Sequence, residues 1–341
     1  MREFDFIEKF MKPLAATAEG ADAGATDKTS ANSLGLQDDA AILRPRTGYD
    51  LVLSKDLIVE GVHFPEGEAG DVVARRALRT NLSDLAAMGA APVGYLLGLA
   101  RDGLDKGWLA DFARGLQADQ EEFGLQLLGG DTVAMPNGLC VSITILGEVP
   151  QGLQLTRAGA RPRDDLYVSG TIGDAALGLG LLQGQTLFAN RLSAEEADFL
   201  RDRYNCPQPR VSLGQALHGL ATSGIDLSDG LVADCRHIAV ASHGMVEIDP
   251  AMVPVSQATA KLLDADPMLW RAVLTGGDDY ELAFTAAPED HTRVLLAAEE
   301  CGIAVTRIGR VKAGQGIKVL DHLPAGVDIG IMTGAGGYQH Q

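Results

Sequence analysis

Thr80-Asn81-Leu82-Ser83-Asp84-Leu85-Ala86-Ala87-Met88-Gly89-Ala90 reads as the second half of a helix that starts near Asp71. Val72, Val73, Ala77, Leu78, Leu82, Leu85 and Ala86 recur at spacings of three and four, which makes one apolar stripe. Arg75, Arg76 and Arg79 lie off that stripe. Gly89 suits a C-cap, and Pro92 follows shortly after it. Asp84 stands between Leu82 and Leu85, and alone it would read as a solvated or capping aspartate. Its company changes the reading. Four other acidic knots sit beside Gly, Ser or Thr: Gly35–Asp39, Ser54-Lys55-Asp56, Gly129-Gly130-Asp131-Thr132 and Asp226-Leu227-Ser228-Asp229-Gly230. Hard cations such as Mg²⁺ want carboxylate oxygens, and small residues let a backbone approach a phosphate closely. These carboxylates are expected to meet in one cleft and hold Mg²⁺ on a nucleotide.

Working outward, 341 residues suggest two domains, with a boundary near Val149-Pro150 that divides the chain into 1–149 and 150–341. Aromatic residues are only 5 %, so the core must be aliphatic. The net charge of −18 removes the general basic footprint of a nucleic-acid binder. It also gives bound divalent metal a use, because an acidic protein repels polyphosphates. Cys140, Cys206, Cys235 and Cys301 lie far apart without a Cys-x-x-Cys pair, so they read as thiols in a reducing compartment. No apolar run reaches about 18 residues, so no membrane span is expected, and the N-terminus does not read as a signal peptide. A cytoplasmic protein is expected.

Phe4, Ile7, Phe10 and Met11 make a helical stripe up to Pro13, and the Ala/Gly/Thr-rich segment 15–33 reads as a mobile insert. Strands are expected at 40–43 and 51–54, with Asp56 at the end of the second, leading into a loop that carries His63. Further strands are expected at 93–99, at 125–128 ending in Gly129-Gly130-Asp131-Thr132, and at 139–148, with a helix over 105–123. The first part thus mixes strands and helices as an α+β unit. Beyond the boundary, Arg157 sits in a turn-rich loop that suits a phosphate contact or a plain surface charge. Helices are expected over 195–204, 211–221, 231–241 and 288–301, and a closing strand over 304–311. Asp229 suits either a helix N-cap or a metal ligand.

A P-loop, a protein-kinase set, a Gly-x-Ser-x-Gly elbow and a His-Glu-x-x-His zinc motif are all absent. What remains, Asp-rich glycine loops, suits metal-assisted phosphoryl transfer.

Asn81–Ala90, Gly129–Thr132, Leu155-Thr156-Arg157, Ile225–Gly230 and Gly276-Gly277-Asp278-Asp279-Tyr280-Glu281-Leu282 follow one another as they do in the thiamine-monophosphate kinase family. The chain resembles that family from about Asp38 to Tyr338, within the superfamily of aminoimidazole ribonucleotide synthetase. The resemblance implies an α+β, two-domain fold: an N-terminal mixed α/β domain whose sheet pairs in a dimer, and a C-terminal α/β domain. It implies that Asp39, Asp56, Asp84, Asp131, Asp226 and Asp229 are Mg²⁺ ligands. Gly130, Asp131, Arg157 and Ser228 would contact ATP, and His63, Asp278 and Tyr338 would contact thiamine monophosphate. The reaction implied is ATP-dependent formation of thiamine diphosphate by direct in-line transfer, with no residue acting as general base.

The chain departs from the family pattern at three points. Lys55 stands where Thr is usual, Gln37 where Gly is usual, and Asp278 where Glu is usual, one methylene shorter. Segment 15–33 is also longer than the pattern. Two other readings stay open at this point: another ATP-using enzyme of the superfamily, and a nucleotide-binding regulator without turnover.

Overall fold

A computed structural model describes Asp5 and residues 7–15, 29–101, 103, 105–185, 188 and 191–327. The chain forms two compact units, Met1–Leu85 with Ala90–Gly152, and Ala86–Gly89 with Leu153–Gln341.

In the first unit a π-turn at Ile7–Met11 runs into α1 (Lys12–Ala15). Pro13 therefore lies inside the first turn of a helix, where its missing N–H is harmless, and does not end one. Then come β1 (Ser30–Asn32), β2 (Ile42–Arg44), β3 (Tyr49–Val59), α2 (Gly70–Ala87), β4 (Ala91–Arg101), α3 (Lys106–Phe123), β5 (Gln126–Ala134) and β6 (Leu139–Pro150). Four strands form a sheet in the order β3-β6-β4-β5, and β4 and β5 are parallel. Both helices bring leucines to the core: Leu78, Leu82 and Leu85 from α2, and Leu109 and Leu116 from α3, are all fully buried. Gly115 lets the helices touch, since a Cβ there would lie 2.6 Å from the Asp71 carbonyl. Asp105 caps α3, accepting from the Trp108 amide, and Gly124 ends it in the left-handed region.

Two expectations about the acidic loops are corrected here. Asp56 and the Gly129–Thr132 stretch lie inside strands, not in loops at strand ends. Ladder pairing carries both through: Asp56 pairs with Ile143, and Gly130 with Leu97. Two of the off-stripe arginines are also buried. Arg79 is 3 % exposed and pairs with Asp119 of α3 at 2.7 Å, so the charge is neutralised inside the helix pair.

The second unit contains β7 (Asp165–Ser169), α4 (Asp174–Leu182), α5 (Ala194–Asn205), α6 (Val211–Ala216), β8 (Ala221–Asp226), α7 (Leu231–Ala241), β9 (Met245–Ile248), α8 (Gln257–Ala265), α9 (Trp270–Thr275), β10 (Leu282–Ala286), α10 (His291–Glu300), β11 (Val305–Lys312) and β12 (Gly316–Val319). Six strands make one sheet in the order β12-β9-β11-β7-β10-β8. The helix expected over 211–221 stops at Ala216, because Gly219 turns the chain with φ +71° and Ala221 starts β8. The strand expected to close the chain is followed by β12.

Candidate functional site

The first unit gathers one group of polar side chains on α2 and β3. Ser54 Oγ donates to Asp84 Oδ2. Asn81, one turn earlier on α2, accepts from the Asp56 amide at 3.2 Å through Oδ1. Asn81 is itself anchored, donating to the Ala77 carbonyl at 2.9 Å. Burial and the neighbouring Asp84 carboxylate push the Asp56 carboxyl up to about 6. Two carboxylates that hinder each other's ionisation are a poor resting arrangement and a good cation trap.

A second group lies around a cavity of about 520 Å³. Its wall is mostly apolar, with Met11, Leu36, Leu43, Leu97 and Leu127, and Asp38, Asp39, Gly129 and Gly130 also line it. Glycine is required at 130, since a Cβ there would lie 1.9 Å from the Leu97 carbonyl oxygen. Asp131 follows, exposed, opposite Gly98. Asp56, Ile143, Leu97 and Gly130 form one row across the sheet. Asp56 and Gly130 thus stand three strand spacings apart, roughly 14 Å along the sheet.

His63 lies in the turn after β3, half-buried. Its Nδ1 accepts from the Val59 amide at 3.0 Å.

In the second unit the focus is the end of β8. Asp226 is its last residue and is 5 % exposed. The following residues run beside the segment that enters β10: the Leu227 amide donates to the Glu281 carbonyl at 2.8 Å, the Tyr280 amide to Leu227 at 2.8 Å, and the Asp278 amide to Ser228 at 2.9 Å. Ser228, Asp229 and Asp278 are therefore brought into one patch. Asp278 (φ 72°) and Tyr280 (φ 49°) both occupy the left-handed region, uncommon for residues with a Cβ.

The residues between and after them hold that shape. Buried Asp279 accepts from the Gly173 amide at 2.8 Å and so caps α4 from a distance. Buried Glu281 accepts from Arg203 at 2.8 Å, and from Arg210 Nε at 2.6 Å. Arg157 lies exposed on a segment fastened along β8: the Gly224 amide donates to Thr156 at 2.9 Å, and a Cβ on Gly159 would sit 2.3 Å from the Thr222 carbonyl.

Asp229 is not the helix N-cap; Gly230 is, with no side-chain cap of its own. The reason is Asp234, a full turn into α7, whose Oδ2 accepts from the amides of Asp229 (3.0 Å) and Gly230 (3.1 Å). Burial, then Asp226 and Asp229, push its carboxyl up to about 8. Oxygens of Asp229 and Asp234 and a ring nitrogen of His237 lie within 4.8 Å of one another.

Asp234, Asp279, Glu281 and the arginines that hold Glu281 were not singled out from the sequence. The signal was available for Asp234: a carboxylate just inside a helix that follows Ser-Asp-Gly can reach back to the exposed amides. Tyr338 lies outside the described residues.

Residues 37–149 match the family described as AIR synthase related protein, N-terminal domain. Over 319 residues the chain is 43 % identical to thiamine-monophosphate kinase of Caulobacter vibrioides, covering 92 % of this chain and 85 % of that protein. The crystal structure of thiamine-monophosphate kinase from Stenotrophomonas maltophilia K279a superposes with a TM-score of 0.81 at 37 % identity, covering 95 % of this chain and 98 % of that one. A structure described as AaThiL complexed with AMPPCP and TMP superposes with a TM-score of 0.71 at 26 % identity, covering 96 % and 97 %. The α+β architecture, built on a four-stranded and a six-stranded sheet, is thus the aminoimidazole ribonucleotide synthetase-like fold that the motifs implied. This chain belongs to the thiamine-monophosphate kinase family.

Proposed function

We propose that the aspartates described above hold Mg²⁺ while the chain carries out its family's reaction, ATP-dependent phosphorylation of thiamine monophosphate to thiamine diphosphate. The observation that carries this reading is the family match, 43 % identity over 92 % of the chain. The donor chemistry fits: Asp56 and Asp84 in one unit, and Asp226 and Asp229 in the other, offer only oxygen to a hard cation. Close carboxylates that raise each other's affinity for protons also favour a divalent ion in the protons' place. The proposed ligands are Asp39, Asp56, Asp84, Asp131, Asp226 and Asp229. Bound Mg²⁺ would supply charge neutralisation on the phosphate oxygens.

Gly130 and Asp131 contact ATP beside the apolar cavity, which suits a flat purine, and Ser228 and Arg157 contact its phosphates. Arg157 brings a fork of donors on a backbone already fastened at Thr156 and Gly159. His63, Asp278 and Tyr338 contact thiamine monophosphate. An oxygen of the acceptor phosphate attacks the γ-phosphorus in line, the bond to the bridging oxygen breaks, and ADP leaves. No phosphoenzyme forms, and no residue serves as general base, because the acceptor phosphate is already ionised near pH 7.

We further propose a homodimer and a cytoplasmic protein. Leu53, Leu57, Leu96 and Val133 occupy the same face of the first sheet and are 41–62 % exposed, an apolar surface that a second copy would cover. Among the described residues no helix is long and apolar enough to cross a membrane, and the four cysteines are unbridged.

Incubation with ATP, Mg²⁺ and thiamine monophosphate, read by mass for thiamine diphosphate, tests the reading. Turnover of formylglycinamidine ribonucleotide or selenide in place of thiamine monophosphate would overturn it.

A further inference from the structure

The turn after β3 is assembled around one imidazole. Gly61, at φ +76°, donates its amide to the Phe64 carbonyl at 2.8 Å, and the His63 amide donates back to Val59 at 2.9 Å. The Val59 amide in turn donates to His63 Nδ1 at 3.0 Å. From α2, Arg76 donates through Nε to the His63 carbonyl at 2.9 Å, and Arg76 is only 2 % exposed. Ring and backbone of His63 are therefore held by separate donors.

A backbone N–H can only donate. Nδ1 must therefore accept with its lone pair, and it carries no proton while this hydrogen bond stands. The neutral ring then keeps its one proton on Nε2. Protonating Nδ1 as well would set two N–H groups against each other and break the contact that orients the ring. The second ring nitrogen decides what the first presents to a ligand.

We propose that His63 meets the anionic acceptor as a neutral imidazole donating from Nε2, with Arg76 as the positioning residue that fixes its turn. This rests on the reading of His63 as a contact to thiamine monophosphate. A neutral donor suits an acceptor that must stay nucleophilic: it orients a phosphate oxygen without placing a full positive charge on the attacking group.

The test is ¹⁵N NMR of the full chain labelled at histidine, with the His63 signals assigned by their loss in His63→Gln. Expected are a pyridine-type signal for Nδ1, a pyrrole-type signal for Nε2, and movement of the Nε2 signal on adding thiamine monophosphate. A protonated Nδ1 overturns the donor assignment whether or not the ligand moves the signals. The predicted tautomer with no ligand response, together with an unchanged KM in His63→Phe, instead overturns the substrate contact.

In kinetics, His63→Phe should raise KM for thiamine monophosphate on the order of tenfold to a hundredfold, the scale of a hydrogen bond to a charged group. His63→Gln, which keeps an amide donor, should recover most of that loss. Arg76→Lys should raise the same KM while KM for ATP holds, and should move the Nδ1 signal away from its pyridine-type position. A full-length Arg76→Lys protein with the His63 spectrum of the wild type removes Arg76 from the proposal.

Discussion

Replacing Asp56 with asparagine should make the metal-free protein more stable at neutral pH while abolishing turnover. The carboxyl of Asp56 is pushed from 3.8 to about 6 by burial and by Asp84. The folded chain therefore binds this proton more tightly than the unfolded chain does. The associated stability is fully present below about pH 4, and it is lost as the pH rises from about 4 to about 6. A rise of roughly two pKa units corresponds to about 3 kcal/mol of folding stability missing at pH 7. Asparagine cannot ionise and escapes that loss. The Asp56 amide would keep its hydrogen bond to Asn81, because that contact uses only the backbone.

The assay is urea unfolding of wild type and Asp56→Asn in chelator at pH 4 and pH 7. The two should be nearly equal at pH 4, with the variant more stable by about 3 kcal/mol at pH 7. Adding Mg²⁺ at pH 7 should close the gap by stabilising only the wild type, since a ligand that binds the native state raises its stability by mass action. A variant no more stable than wild type at pH 7 in chelator would refute the reasoning.

Three other changes probe separate parts of the molecule. Glu281→Ala would strand Arg203 and Arg210 in the second unit, at a cost of roughly 3–5 kcal/mol by urea unfolding; a loss under about 1 kcal/mol would contradict the anchoring role. Gly130→Ala would drive a methyl group to 1.9 Å from the Leu97 carbonyl, so β4 and β5 must part. ATP binding by calorimetry should be lost, and retained affinity would remove the strand from the nucleotide contact. Arg157→Ala, at an exposed position, should raise KM for ATP by about tenfold or more with unchanged thermal stability; an unchanged KM removes Arg157 from the site.

Much of this was legible in the sequence because periodicity and capping act locally. The apolar stripe of α2 marks a helix whatever it packs against, and Leu231–Ala241 begins and ends where the pattern says. The acidic stretches were legible as chemistry but not as geometry. Asp56 and Asp131 sit within ladders, and a strand that tolerates Asp beside Gly looks like a loop until its partner strand is seen. Arg79 lies off the apolar stripe of its helix, and nothing in the sequence pairs it with Asp119. Their burial depends on α2 meeting α3, a fact of tertiary packing. Asp279 and Glu281 were visible only as parts of a motif. Their work, capping α4 and binding two arginines, spans more than seventy residues of chain. Asp234 differs from these. Its partners are the backbone amides of Asp229 and Gly230 at the start of its own helix, so its place just after Ser-Asp-Gly was a local signal that the reading passed over.

The central claim is that carboxylates without any general base are what the phosphoryl transfer requires. Its most direct measurement is thiamine diphosphate formed from ATP and thiamine monophosphate in saturating Mg²⁺, compared between wild type and Asp84→Asn, with folding checked by circular dichroism. The account predicts steady product from the wild type, none above background from a fully folded Asp84→Asn, and no phosphorylated protein in either. Near-normal product from Asp84→Asn, or a phosphoenzyme on the pathway, would contradict it.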